Sequence, residues 1–140
     1  MKKFTRTTIF ALLLLLVLSG FCCCGDTGKT QSSAQLTGQI SIIYPEEAQL
    51  DSFENEPIAF DDGDTVLGVL EQFAADNSIE LDIENGSSAY VAAIGGVREG
   101  TYGDVSGWVY TVNEQEVMKS ADAYVLEDND EIEWKYVSWE

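Results

Sequence analysis

The sequence predicts an α+β fold, on two observations. From Gln39 onward apolar residues recur with a period of two in several short runs, the signature of half-buried strands. Once, between Asp64 and Asn77, they recur instead with the period of a helix. A run of antiparallel or mixed strands with a single helix is expected to form a sheet that the helix covers on one face. No segment of 20–50 residues repeats, which excludes a solenoid.

The elements follow in order. Ile40, Ile42 and Tyr44 alternate with Gln39, Ser41 and Ile43, and Pro45 ends this first strand. Residues 46–56 (EEAQLDSFENE) read as a polar loop, and Ile58, Ala59 and Phe60 as a second short strand stopped by the turn residues 61–64 (DDGD). Asp64 or Thr65 then serves as N-cap. Val66, Leu67, Val69, Leu70, Phe73 and Ala74 fall on one helical face, which predicts a helix of about eleven residues ending near Asp76 and Asn77. Strands are expected at residues 79–83, 89–94, 108–112, 124–126 and 131–138. Gly95 and Gly96 break the chain after the second of these, and a Gly-bearing loop spans 97–107.

The N-terminus reads as an export signal. Lys2, Lys3 and Arg6 form a basic region before the apolar run at 9–18 (IFALLLLLVL), with Ser19 and Gly20 behind it. The run Phe21-Cys22-Cys23-Cys24-Gly25 resembles a bacterial lipoprotein box, best fitted by Cys24 with Phe21 at −3 and Cys23 at −1; Cys22 and Cys23 stay open as acceptors. The resemblance implies a lipid-anchored protein on the extracytoplasmic face of the cell membrane. Domain organisation is then a signal peptide at 1–24, a Gly/Ser/Thr/Gln-rich flexible tether at 25–38, and one folded domain at 39–138.

Composition removes many functions. The 140 residues hold 25 acids and 7 bases, a net charge of −18. Loss of the three bases in the signal leaves 25 acids against 4 bases, or −21. Such a polyanion repels phosphate backbones, which argues against nucleic-acid binding. There is no histidine, and the three cysteines all lie at 22–24. His-based triads, His–metal sites, thiol nucleophiles and disulfides are therefore absent from the folded domain. The expectation is a binding domain, monomeric and without a cofactor, not an enzyme.

The sharpest local pattern is Gly107-Trp108-Val109-Tyr110-Thr111-Val112-Asn113, followed by Tyr124-Val125-Leu126-Glu127-Asp128-Asn129-Asp130-Glu131-Ile132-Glu133-Trp134. With the helix entry Asp62-Gly63-Asp64-Thr65-Val66-Leu67 and the Tyr90…Ile94-Gly95-Gly96-Val97 strand, it resembles the transcobalamin-like C-terminal domain family. The resemblance runs over 39–137 and implies a β-grasp-like fold and a ligand-recognition module, with a corrinoid or another planar small molecule as ligand. Two departures stand out. Asn113-Glu114 replaces the family's Asn-Gly, so the hairpin turn is expected to exceed two residues. Asn129 replaces a turn glycine, and Asn tolerates positive φ and can keep the turn.

Trp108, Tyr110 and Val112 share one strand face, as do Ile132, Trp134 and Tyr136, and such stripes form the core of a small sheet or stack on a ligand. Tyr102 and Gly103, with Gly95 and Gly96, are the other ligand candidates, because a Gly-bearing loop lets backbone approach closely. The acidic runs at 61–64 and 128–131 raise calcium, but neither has the EF-hand register, and solvated turns are the expectation. The alternative function is a surface domain that binds a partner protein or glycan along an open sheet edge.

Overall fold

The computed structural model describes residues 35–139. The export signal, Cys22, Cys23, Cys24 and most of the predicted tether lie outside the described residues. Within them the α+β expectation holds. Five strands form one sheet in the order β2 (Phe53–Phe60), β1 (Leu36–Ile43), β8 (Glu131–Ser138), β6 (Ser106–Val112), β7 (Gln115–Glu116), and three form a second in the order β3 (Leu81–Asn85), β4 (Ala89–Ile94), β5 (Val97–Arg98). One helix, α1 (Val66–Asn77), packs its apolar face into the shared core. No helix of the described residues is long and apolar enough to cross a membrane.

The centre of the larger sheet pairs the first strand, β1 (Leu36–Ile43), in parallel with the last, β8 (Glu131–Ser138). Ile40 lies beside Ile132 and Ile42 beside Trp134. Antiparallel β6 (Ser106–Val112) extends the same face, with Trp108 opposite Tyr136, Tyr110 opposite Trp134 and Val112 opposite Ile132. Because side chains alternate across a strand, this register gathers the apolar stripes of three strands on the face turned to the helix. Leu36, Thr37 and Gly38, assigned above to the tether, belong to β1. Thr37 N–H donates to Asp128 (3.0 Å), and Gly38 lies so close to the Asp130 carbonyl that an added Cβ would stand 2.4 Å from it.

The helix matches its sequence pattern. Thr65 Oγ1 accepts from Gly68 N–H (3.2 Å) at the N-terminus, and Ser78, at φ +57°, closes the C-terminus. Two further N–H groups of the first turn are satisfied from outside: Val66 donates to the Tyr124 carbonyl and Leu67 to that of Ala121. This corrects the strand expected at 124–126. The Tyr124 carbonyl serves the helix N-terminus, whose amides lack partners within the helix, Leu126 N–H donates to the Asp64 carbonyl, and a single bridge joins Thr65 to Val125.

Two other expectations are corrected. β2 spans Phe53–Phe60, so the second half of the polar loop is strand, and only Glu46–Ala48 forms a short 3₁₀ turn before it. This edge strand carries Glu54, Glu56 and Pro57 and is bulged where Asn55, at φ +54°, donates its N–H to Ser41 Oγ. Mostly exposed, it has little period-two pattern to read. The hairpin between β6 and β7 (Gln115–Glu116) does have a two-residue turn, with Asn113 at φ +52° and Glu114 at φ +63°. Glu114 takes the glycine position beside an anchored neighbour: Asn113 Nδ2 donates to Asp130 (2.8 Å), its Oδ1 accepts from Glu131 N–H (3.0 Å), and its own N–H donates to the Glu131 carbonyl (2.8 Å). Asn129, as expected, takes positive φ (+69°) and keeps its turn.

The smaller sheet comprises β3 (Leu81–Asn85), β4 (Ala89–Ile94) and β5 (Val97–Arg98). Arg98 bridges the sheet's outer side, pairing with Asp82 and with Glu84 (2.8 Å).

Candidate functional site

The sequence candidates separate into two groups. Gly95 and Gly96, at φ +60° and +80°, form the two-residue turn between β4 and β5, a conformation that side-chain-bearing residues resist. A Cβ on Gly95 would meet Tyr44 Oη at 2.4 Å. Gly95 therefore lets Tyr44 pack closely, and Tyr44 in turn meets Trp108 edge-on at 5.5 Å. The turn supports the core from outside.

The Gly-bearing loop that follows is tied down by one buried side chain. Tyr136 Oη accepts from the amides of Thr101 (3.1 Å) and Tyr102 (3.3 Å). Its proton is shared between the Arg98 carbonyl (3.0 Å) and Ser106 Oγ (2.8 Å), which itself donates to the Gly103 carbonyl. Tyr102 is half-buried, its ring edge-on to that of Tyr136 at 6.0 Å, and a Cβ on Gly103 would stand 2.8 Å from Ser138 Oγ. Tyr102 and Gly103 thus belong to a fixed loop built around Tyr136.

Trp108 and Tyr110 behave differently. Trp108 is 6 % exposed and donates its indole N–H to the Val97 carbonyl (2.8 Å), so it is a core residue and offers no open stacking face. It nevertheless forms part of the wall of a hollow of about 220 Å³, together with Tyr90, Tyr110, Trp134, Ser88 and Ser120. Tyr110 holds one side of that hollow by donating to the Lys119 carbonyl (2.6 Å), and its ring is tilted against Trp134 with centroids 5.2 Å apart. Burial, then the neighbouring Tyr124 and Asp122, push the Tyr110 hydroxyl up to about 12. Tyr90, on the rim, donates to Glu99 (2.5 Å); that hydrogen bond, then burial, push it up to about 12.

Trp134 was read from sequence only as a member of a stripe, and it is the most informative residue here. It is 3 % exposed, it lines the hollow, and its indole N–H has no hydrogen-bond partner. Among the described residues it is the one buried side-chain donor left so. An unpaired buried donor costs about 1–3 kcal/mol. Nothing in the alternation of β8 could reveal this, because pairing depends on which residues of other elements surround the nitrogen.

The acidic runs have structural work. Asp128 caps the start of β1, as above, while the Asp130 carboxylate, 6 % exposed as a residue, accepts from Glu127 N–H and from Asn113. Asp64 accepts from Asp61 N–H within its own turn. Among the described residues no group of three or more carboxylates or thiols is arranged to hold a metal ion.

This architecture, a mixed sheet with first and last strands parallel at its centre and one covering helix, defines an α+β domain of the transcobalamin-like kind. The chain belongs to a family described as a domain of unknown function, DUF4430, which matches residues 63–138. Its fold is similar to that of haptocorrin crystallised in complex with Cbi, with a TM-score of 0.66 and 16% identity over 84% of this chain and 29% of that one. The chain thus spans under a third of haptocorrin's length. It is also similar to a protein from Ruminococcus gnavus ATCC 29149 described as a candidate metal binder, with a TM-score of 0.50 and 16% identity over 76% of this chain and 98% of that one. No curated protein matches the chain. Family and fold together bear out the transcobalamin-like resemblance drawn from the Gly107-to-Asn113 and Tyr124-to-Trp134 patterns.

Proposed function

We propose that this protein is a ligand-recognition module, held at the extracytoplasmic face of a membrane by a lipid on Cys24, that binds a small molecule in the aromatic hollow and does not catalyse. The observation that supports it most is the hollow of about 220 Å³ lined by Tyr90, Trp108, Tyr110 and Trp134. The rings that line the hollow would supply apolar contact to such a ligand. The absence of histidine, and of cysteine beyond 22–24, supports binding over catalysis.

Corrinoids are the first ligands to test, on the fold likeness to haptocorrin. A hollow of about 220 Å³ takes one group of such a molecule, so a corrinoid would need a second surface to enclose the rest. The test is thermal stabilisation of the full chain by a ligand panel that includes corrinoids. A ligand at a hundred times its Kd should stabilise by about 2.7 kcal/mol. The effect should shrink in Trp134→Phe; a panel in which nothing shifts the melting temperature overturns the reading. Anchoring is tested separately, by fatty-acid labelling of the wild type and of a variant with Ser at 22–24.

A surface that binds a partner protein is the second reading, and one observation favours it. Val109, Val137, Met118 and Trp139 line a shallow apolar hollow of about 480 Å³, with Met118 98 % and Trp139 54 % exposed. The edge-strand route has less support, because Pro57, two glutamates and a bulge blunt β2, and β7 is two residues long.

A further inference from the structure

We propose that Asn85 is a site of spontaneous covalent modification, at which the side chain loses its amide and becomes aspartate and isoaspartate without an enzyme. This does not depend on the hollow being a binding site. Three observations carry it.

The first is the neighbour. Asparagine stands at 55, 77, 85, 113 and 129, and Asn85 alone is followed by glycine. Loss of the amide requires the next main-chain nitrogen to reach the side-chain carbonyl carbon. Gly86, having no Cβ, leaves that approach unhindered.

The second is hydrogen bonding. Asn77 Nδ2 donates to the Phe73 carbonyl (2.9 Å), Asn113 Nδ2 to Asp130 (2.8 Å) and Asn129 Nδ2 to Asp128 (3.1 Å). The amides that follow Asn77 and Asn129 are engaged as well, Ser78 with the Ala75 carbonyl and Asp130 with that of Glu127. Asn55 stands within β2, ahead of the bulkier Glu56. Among the described residues, neither the Asn85 carboxamide nor the Gly86 N–H makes a hydrogen bond. Both reacting groups can therefore turn toward each other.

The third is room. Asn85 ends β3, residues 86–88 lead into β4, and all of 85–88 are exposed. Apart from its two neighbours in the chain, a Cβ placed on Gly86 would meet nothing nearer than the Ser88 carbonyl, at 3.8 Å. An exposed hairpin tip of small residues is where a backbone yields most readily.

The chemistry balances with water as the co-reactant. The Gly86 nitrogen gives up its proton and bonds to the Asn85 side-chain carbonyl carbon. The bond from that carbon to Nδ2 breaks, and ammonia leaves with the proton. Water then opens the five-membered succinimide at either carbonyl. One opening yields aspartate, the other isoaspartate, in which the main chain runs through the Cβ. Either product adds one negative charge to a chain of net charge −18. Ser88 and Ala89, which line the hollow, lie on the same hairpin, so the change falls beside the candidate site.

The experiment incubates the full-length protein in mildly alkaline buffer, folded and in denaturant, then cleaves after glutamate. Mass spectrometry follows the fragment 85–99, bounded by Glu84 and Glu99. It should gain the mass of an acid over an amide and split into aspartyl and isoaspartyl isomers. In the folded protein the rate should stay within about tenfold of the unfolded chain, a barrier difference below about 1.4 kcal/mol. Asn77, Asn113 and Asn129 should stay intact in the folded protein. Gly86→Ala should slow conversion about tenfold in folded and unfolded chains alike. An Asn85 that keeps its amide in the folded protein while the unfolded chain converts overturns the proposal. So does a Gly86→Ala variant that converts as fast as wild type, or conversion at Asn77, Asn113 or Asn129 that keeps pace with Asn85.

Discussion

Trp134 and Tyr136 stand two residues apart on the same face of β8, both nearly inaccessible, and their polar atoms fare in opposite ways. The Tyr136 hydroxyl is engaged by Arg98, Thr101, Tyr102 and Ser106. The Trp134 indole N–H meets none. Both residues extend one aromatic stripe, and burial alone would class both as core. Hydrogen-bond satisfaction separates them: the fold uses Tyr136 to build a loop and leaves the Trp134 donor buried without a partner. The regions around them follow suit. The Gly-bearing loop, which looks in sequence like a ligand-contacting segment, is architecture; the strand stripe, which looks like core, borders the cavity.

The largest expected effect is at Tyr136. Tyr136→Phe keeps the ring and removes the hydroxyl, leaving the amides of Thr101 and Tyr102 and the Arg98 carbonyl to find other partners. We expect a loss of about 3 kcal/mol in denaturant unfolding, the scale for orphaning several buried groups at once. Hydrogen exchange should quicken at Thr101 and Tyr102 in particular. A variant as stable as wild type would show that the loop holds itself and that Tyr136 is incidental.

Trp108 sharpens the contrast with a residue chemically identical to Trp134. Its N–H is paired with the Val97 carbonyl, so Trp108→Phe loses packing and strands an acceptor, for about 2 kcal/mol. Trp134→Phe also loses ring volume but eliminates an unpaired donor, and the two effects oppose. Its cost should stay below about 1 kcal/mol. Equal costs for the two substitutions would mean that the Trp134 N–H is satisfied in solution, and the comparison would collapse.

How much of this the sequence could reveal depends on the range of the interaction that decides each feature. The helix was legible in position and length because its cap, Thr65, and its apolar face are local. So was the face shared by Trp108, Tyr110 and Val112, because alternation is a property of the strand itself. The 124–126 segment was misread because its backbone partners are Asp64 and Val66, about sixty residues away. The Asn113-Glu114 turn was misread for the same reason: the anchors that hold Asn113, and with it the turn, are Asp130 and Glu131, distant in sequence. Of the candidate site, Trp108 and Tyr110 were legible as a pair, whereas Tyr90 enters only through the approach of β4 to β6. Gly95, Gly96, Tyr102 and Gly103 were picked for backbone freedom, which serves a turn or a tight packing contact as readily as a ligand.

The smallest expected effect probes the rim of the hollow by pH. Tyr90 and Tyr110 are both pushed up to about 12 from an ordinary value of 10, Tyr90 chiefly by its hydrogen bond to Glu99 and Tyr110 chiefly by burial. Burial raises Tyr44 and Tyr124 in the same direction. For such groups the unfolded chain loses its proton first. Their contribution to stability is fully present below about pH 10 and is lost as pH rises towards and through 12. The melting temperature should therefore hold up to about pH 10 and decline between 10 and 12. Tyr90→Phe removes one of the two larger contributors, so its decline over that window should be shallower than that of the wild type, while the Tyr110 share persists. Below pH 9 the two proteins should differ only by the lost hydrogen bond to Glu99, a contact exposed enough to be worth little. Superimposable profiles from pH 9 to 12 would mean that Tyr90 does not engage Glu99 in solution.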